Sequence, residues 1–241
     1  MSKKIPSDYN RFVKLENVGE VSRPVDIDQS VTGFSQLVSL RIYRFLEGQV
    51  INGGAEDDEV CIVFLSGDVT MEVTGEEHHT WTIQGRKNVF DDLPYVVYLP
   101  PHYRYKLSPH ADAEVAYARA RAEGHFPPRL IKPDMLEQKL SNQSTSVQIL
   151  QEGEAEKLLC REFSLALKHE QHLKESTREQ LFYIRLDPPS SKALAQFSKG
   201  NETLTLVHGD TLAVKPAEQA TLRAADCKLY SLHLSVDKPS N

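Results

Sequence analysis

The stretch His208-Gly209-Asp210-Thr211-Leu212-Ala213-Val214-Lys215-Pro216-Ala217-Glu218-Gln219 decides how this chain reads. It closes one strand at a tight Gly-Asp turn, runs an apolar strand from Thr211 to Val214, and turns again at Pro216. Glycine supplies φ > 0 without steric cost, and aspartate bonds its own backbone. Proline lacks the N–H that a central strand must donate. Strand, turn, strand and turn in so short a span imply many short strands.

The same rhythm extends outward. From Val38 the apolar period is two, with Leu40, Ile42 and Phe45 set among Ser39, Arg41 and Arg44. Strands are expected at 60–65, 69–73, 80–83, 96–99, 103–107 and 114–120. Ser66-Gly67-Asp68, Thr74-Gly75-Glu76, Asp91-Asp92-Leu93-Pro94 and Pro100-Pro101 separate them. A second block is expected at 147–150, 158–167, 180–186, 194–197, 204–208, 211–214, 220–223 and 228–236. Frequent Gly, Asp and Pro turns between short strands predict an all-β barrel or sandwich. Residues 1 to 35 carry little periodicity and read as an arm.

Phe126-Pro127-Pro128 and Lys132-Pro133 interrupt the pattern. They divide the chain into an arm and first unit over 1–123, a connection over 124–146, and a second unit over 147–241. A short helix is expected over 135–140 and a helical turn over 152–157. Both blocks contain apolar strand, Gly-Asp, apolar strand, which hints at internal duplication.

Composition narrows the function classes. The chain has 241 residues, 40% hydrophobic and 26% charged, with a formal net charge of -6. Charges of both signs are interspersed, and no basic face invites nucleic acid. The polar N-terminus Met1-Ser2-Lys3-Lys4-Ile5-Pro6 lacks a signal-peptide core, and no run approaches the ~18 apolar residues of a membrane span. Cys61, Cys160 and Cys227 are too few and too widely spaced for a disulfide framework. Cys61 sits in an apolar run and reads as a small buried hydrophobe. A reduced, cytoplasmic protein is expected.

Several segments together resemble a known family. They are Glu59–Gly67, Val89-Phe90-Asp91, Val97-Tyr98-Leu99-Pro100-Pro101, Pro128-Arg129-Leu130-Ile131, Phe182–Pro189 and Leu229-Tyr230-Ser231-Leu232. In order and spacing the chain resembles the 5-deoxy-glucuronate isomerases of bacterial inositol catabolism, and more distantly the 4-deoxy-uronate ketol-isomerases. The resemblance implies a bicupin: two tandem double-stranded β-helix (jelly-roll) barrels. It also implies a metal-dependent aldose–ketose isomerisation of a sugar acid. Self-association is common among cupins, so a homo-oligomer is a further expectation.

The family holds its divalent metal in the second cupin with a His-x-His pair, a glutamate and a late histidine. By the resemblance, Gln180 takes the glutamate's place and Gln219 the late histidine's. A glutamine amide is a much poorer ligand for Zn²⁺, Mn²⁺ or Fe²⁺ than imidazole or carboxylate. The main expectation is therefore an eroded site, a sugar acid bound without the standard reaction, and no cofactor. Pocket candidates are Gln180, Gln219, Tyr183, Arg185, His208 and His233. One alternative is an active isomerase with a rearranged metal site of His169, His172 and Glu179. His169 and His172 share a face only on a helix. The other alternative is a non-catalytic structural or regulatory cupin. His78-His79 reads as an exposed hairpin tip, and His102 as a barrel-mouth residue. No Gly-rich phosphate loop and no Gly-x-Ser-x-Gly elbow is present.

Overall fold

A computed structural model describes residues 3–5, 11–15, 19–173, 176–189, 194–214 and 219–236. Two β-barrels form, each from a seven-stranded sheet facing a four-stranded one. The first large sheet has the order Arg129–Ile131, Val96–Leu99, Asp58–Ser66, Ala113–Arg121, Leu37–Phe45, Gly19–Asp28, Arg11–Leu15. The second has the order Lys3–Ile5, Thr211–Val214, Glu179–Asp187, Lys228–Val236, Leu158–Leu165, Ser144–Leu150, Glu137–Leu140. The small sheets run Ile51–Gly54, Arg104–Pro109, Val69–Thr74, His78–Ile83 and Glu170–Leu173, Ala220–Ala224, Ala195–Lys199, Glu202–Leu206.

Strand for strand the two barrels have one topology, so the chain is an internal duplication. Each copy sends its first strand to the other barrel. Lys3–Ile5 pairs with 211–213, and Arg129–Ile131 pairs with 96–98. The two Gly-Asp turns that hint at duplication are not equivalent to each other. Gly67-Asp68 follows Asp58–Ser66, the counterpart of Glu179–Asp187. Gly209-Asp210 precedes Thr211–Val214, the counterpart of Val96–Leu99.

The period of two assigns each strand face to a core. On Asp58–Ser66, Cys61, Val63 and Leu65 face the other large sheet, where Cys160, Leu181, Leu232 and Leu234 meet them. Val60, Ile62 and Phe64 face into the first barrel with Tyr43, Met71 and Leu107. In the second barrel Phe182, Ile184 and Leu186 pack on Phe163, Phe197 and Leu212. A strand buried on both faces reads as a continuous apolar run, as Val60–Leu65 does. Each such Val, Leu or Phe contributes roughly 1.5–3 kcal/mol by leaving water. All three cysteines are free and buried.

The turn at Gly209 shows why its residues are required. Gly209 has φ +86°, and its N–H donates to the Ile184 carbonyl at 2.9 Å. The Asp210 carboxylate accepts from Val207 N–H at 2.7 Å and pairs with Lys4 Nζ at 3.0 Å. The crossed-over first strand thus anchors the turn.

Three local expectations change. The region 1–35 holds the strands Lys3–Ile5, Arg11–Leu15 and Gly19–Asp28 and the short helix Gln29–Thr32. Sheet pairing with Leu37–Phe45 outweighs its weak apolar period. Residues 124–146 contain Arg129–Ile131, a 3-10 turn at Pro133–Met135 and strand Glu137–Leu140, where a helix over 135–140 is expected. Glu137–Leu140 is an edge strand, exposed throughout, so no face carries an apolar signature. Residues 152–157 form turns with one isolated bridge between Glu152 and Ala155. No described helix is long and apolar enough to cross a membrane.

Candidate functional site

Apolar side chains fill most of the second barrel, but one end is polar. Along Glu179–Asp187 the inward positions are Gln180, Phe182, Ile184 and Leu186. Along Lys228–Val236, His233 and Ser235 point the same way, and on Leu158–Leu165 so does Arg161. These side chains and those of Gln148, Gln171 and His172 border a cavity of about 370 Å³.

His233 is the hub of the cavity. Its ring stacks on Phe182 with centroids 4.2 Å apart and planes within 3°. Arg161 Nε donates to His233 Nδ1 at 2.7 Å. The ring proton therefore sits on Nε2, which donates to Gln180 Oε1 at 2.9 Å. Burial, then the charges of Arg161 and Arg178, hold His233 well below the ordinary imidazole range. Burial also lowers the Arg161 guanidinium. Arg178 pairs with Glu152 at the rim, at 2.5 Å. Among the described residues no Asp or Glu borders the cavity.

Of the sequence candidates, Gln180 and His233 come together here, and His172 stands at the rim. His172 is exposed, bonding Thr221 Oγ1 at 3.2 Å through Nδ1 and lying 3.4 Å from Glu170 through Nε2. Gln219 is exposed and does not border the cavity. Tyr183 and Arg185 lie on the opposite face of their strand. There Arg185 bonds the Tyr183 hydroxyl at 2.9 Å and pairs with Glu114 of the first barrel, which also takes Arg44 at 3.0 Å. They brace the two barrels together. His208 lies in the turn before Thr211–Val214, bonded to the backbone of Leu186, with its pKa lowered mainly by burial.

The set His169, His172 and Glu179 is not assembled. His172 lies on strand Glu170–Leu173, while His169 precedes it and bonds the Leu167 carbonyl through Nδ1. Glu179 faces away from the cavity. Its carboxylate accepts from the backbone N–H groups of Ser35, Gln36 and Leu37 and from Ser35 Oγ at 2.7–3.0 Å. Among the described residues no three of His, Cys, Asp and Glu gather as a metal site. The cavity's donor set fits a divalent cation poorly. His233 has both ring nitrogens bonded, Gln180 offers a neutral oxygen, and Arg161 places positive charge beside them.

Sequence reading missed Arg161, Gln148 and Arg178. A signal existed for Arg161, a charged residue on the inward parity of the otherwise apolar run Leu158-Leu159-Cys160. Gln148 and Arg178 stand in polar surroundings and carry no local mark.

Comparison with known proteins supplies the family context. A family model described as the KduI/IolB family matches residues 13–155. The 5-deoxy-glucuronate isomerases of Geobacillus thermodenitrificans (strain NG80-2) and Geobacillus kaustophilus (strain HTA426) are 32% and 33% identical over 100 residues. That stretch is 41% of this chain and 35% of each relative, so the match spans about a third of the curated relatives' length. The crystal structure of an IolB-like protein from Salmonella typhimurium LT2 superposes with a TM-score of 0.79 at 21% identity, covering 90% of this chain and 89% of that one. A mutant oxalate decarboxylase of Bacillus subtilis gives a TM-score of 0.73 at 11% identity, covering 99% and 78%. At these identities the two structures speak to the fold alone.

Proposed function

The chain belongs to the KduI/IolB family, and from that premise we propose that its second barrel binds a sugar acid without the metal-dependent isomerisation of the 5-deoxy-glucuronate isomerases. The observation that carries this reading is the chain Arg161–His233–Gln180. It leaves the imidazole neutral, with both ring nitrogens engaged.

Aldose–ketose isomerisation needs a group that polarises a carbonyl and a base that moves a proton between adjacent carbons. A neutral amide at Gln180 is no base. His233 would have to give up a bond to accept a proton, and two arginine charges oppose the imidazolium. What remains is suited to recognition. A cavity of about 370 Å³ accommodates a monosaccharide, and the bordering amide and hydroxyl groups are of the kind that bond sugar hydroxyls. Most of the residues that border it lie beyond 155, outside the stretch that the family model matches. Divergence at this site is therefore compatible with membership.

The test is turnover and binding on the same preparation. The full chain is loaded with Mn²⁺, Zn²⁺ or Fe²⁺ and supplied with 5-deoxy-glucuronate, and glucuronate binding is measured by calorimetry. Binding without turnover is expected. Stoichiometric metal together with turnover that His172→Ala abolishes overturns the reading. It would favour an active isomerase instead, for which the rim position of His172 is the supporting observation.

A further inference from the structure

The duplication supplies an internal control for the cavity. In the first barrel three adjacent strands bring Asp26, Arg41 and Tyr117 into register. In the second barrel the equivalent strands bring Gln148, Arg161 and His233 into register. Both arginines point into their barrels from the same place in the fold. Arg41 meets a carboxylate, its Nε donating to Asp26 Oδ1 at 3.0 Å, and Arg23 completes the cluster at 2.7 Å. Burial draws the Arg41 guanidinium down, but Asp26 raises it above its ordinary value.

Among the described residues Arg161 has no such partner. Its register neighbour Gln148 is neutral and turns its amide to the carbonyls of Leu150 and Cys160 at 2.8 and 3.3 Å. Its Nε goes to a neutral imidazole. Among the described residues no acid pairs with Arg161, and burial lowers its guanidinium. A part-buried cation without a counter-charge is costly, and a ligand anion removes that cost. A guanidinium offers a planar fork that matches a carboxylate. The first barrel fills the corresponding end itself, with the Asp26 pair and with Tyr117, whose hydroxyl donates to the Gly54 carbonyl. In the second barrel the Asp-to-Gln and Tyr-to-His differences leave the cavity open where the charge is unmatched.

We propose that Arg161 is the carboxylate-recognition residue of the second barrel, holding the acid group of a bound sugar acid where the first barrel holds its own Asp26. This rests on the sugar-acid reading above and names the group that reads the acid. The ligand class it selects is a carboxylate on a sugar-sized body, with neutral sugars refused.

The test compares sodium glucuronate, sodium acetate and glucose on wild type, Arg161→Gln and Gln148→Asp by calorimetry on the full chain. Gln148→Asp supplies the counter-charge that the first barrel uses, so it blocks the site without removing the arginine. Wild type is expected to bind glucuronate, to bind acetate more weakly, and to ignore glucose. Both variants are expected to lose at least tenfold in affinity for both carboxylates. Wild-type glucuronate affinity in both variants overturns the role of Arg161 while leaving a sugar-acid site standing. Acetate binding lost in the variants, with no uronate bound by wild type, keeps the arginine's role and overturns the sugar reading. Glucose binding as tight as glucuronate overturns the charge selection. No binding of either carboxylate to wild type overturns both.

Discussion

Glu59 and Glu179 occupy the same position in the two copies of the duplication, and each clamps the backbone of the other copy. Glu59 accepts from the N–H groups of Glu156, Lys157 and Leu158 and from the Tyr98 hydroxyl. Glu179 accepts from Ser35, Gln36 and Leu37. Both carboxylates are buried, at 0% and 3% exposure. Each clamps the segment leading into Leu158–Leu165 or Leu37–Phe45, the strands that carry Arg161 and Arg41.

Replacing Glu179 with Gln tests the clamp. An amide has one acceptor oxygen, and its NH₂ would face backbone donors. Hydrogen bonds to a charged acceptor contribute about 1.5–3 kcal/mol, so Glu179→Gln is expected to destabilise by that much. For a chain of this size that lowers Tm by roughly 5 °C. Burial pushes the Glu179 pKa up, but the three backbone N–H groups outweigh it and hold the carboxyl below its ordinary 4.5. A depressed folded pKa gives stability that is full above the unfolded value and is lost as pH falls through the folded one. Urea unfolding should therefore show a wild-type advantage at pH 7 that shrinks below about pH 4. A constant gap at both pH values sinks the assignment.

Much of this arrangement was legible in the chain. Strands with apolar alternation or continuous apolar runs, such as Val60–Leu65 and Lys228–Val236, were readable because burial fixes their pattern. The edge strands Glu137–Leu140 and Glu170–Leu173 were not, since main-chain pairing holds them, the first is exposed throughout and the second buries only Leu173. At the site, Gln180 was reached through the family resemblance and His233 through its place on a strand of the second barrel. Glu179 was not readable, because a one-residue difference puts it on the opposite face of the sheet. The Arg161–Gln148 contrast was invisible, since it depends on which residues lie in register across three strands.

Arg86 of the first barrel and Glu162 of the second form a buried pair, with Arg86 Nη1 donating to Glu162 Oε2 at 2.9 Å. Tyr230 also donates to Glu162, and the Asp92 carbonyl takes Arg86 at 3.0 Å. Removing one partner strands a buried charge. Arg86→Met alone or Glu162→Met alone is expected to cost about 3–5 kcal/mol, while the double variant Arg86→Met with Glu162→Met falls closer to wild type. Chemical denaturation of the four proteins of this cycle decides the matter. A double variant as unstable as the sum of the singles removes the coupling.

The buried, neutral His233 makes stability pH-dependent in a stated direction. Its folded pKa lies well below the ordinary 6.5, from burial first and then Arg161 and Arg178. Below pH 6.5 the unfolded chain binds a proton that the folded chain refuses, so stability falls as pH drops. One such site contributes a slope of up to about 1.4 kcal/mol per pH unit. His233→Gln should flatten the stability profile between pH 7 and 5 by up to that amount. An unchanged profile removes His233 as its source.

Gln180→Glu probes the neutrality of the cavity. Gln180 Oε1 lies 2.9 Å from His233 Nε2, so a carboxylate there favours the imidazolium. The imidazole resonance, silent to pH across the neutral range in wild type, should then titrate within it by NMR. Above the pH at which that imidazolium loses its proton, the new negative charge also competes with a bound acid for the positive field of Arg161. At an effective dielectric of ~20, unit charges 4 Å apart interact by about 4 kcal/mol, and water at the cavity mouth reduces this. Even a third of that lowers glucuronate affinity about tenfold. Glucuronate bound as tightly by Gln180→Glu as by wild type places the ligand away from Gln180. A weakened complex together with a titrating His233 places the acid group on the Arg161 side of the imidazole, where the first barrel carries Asp26.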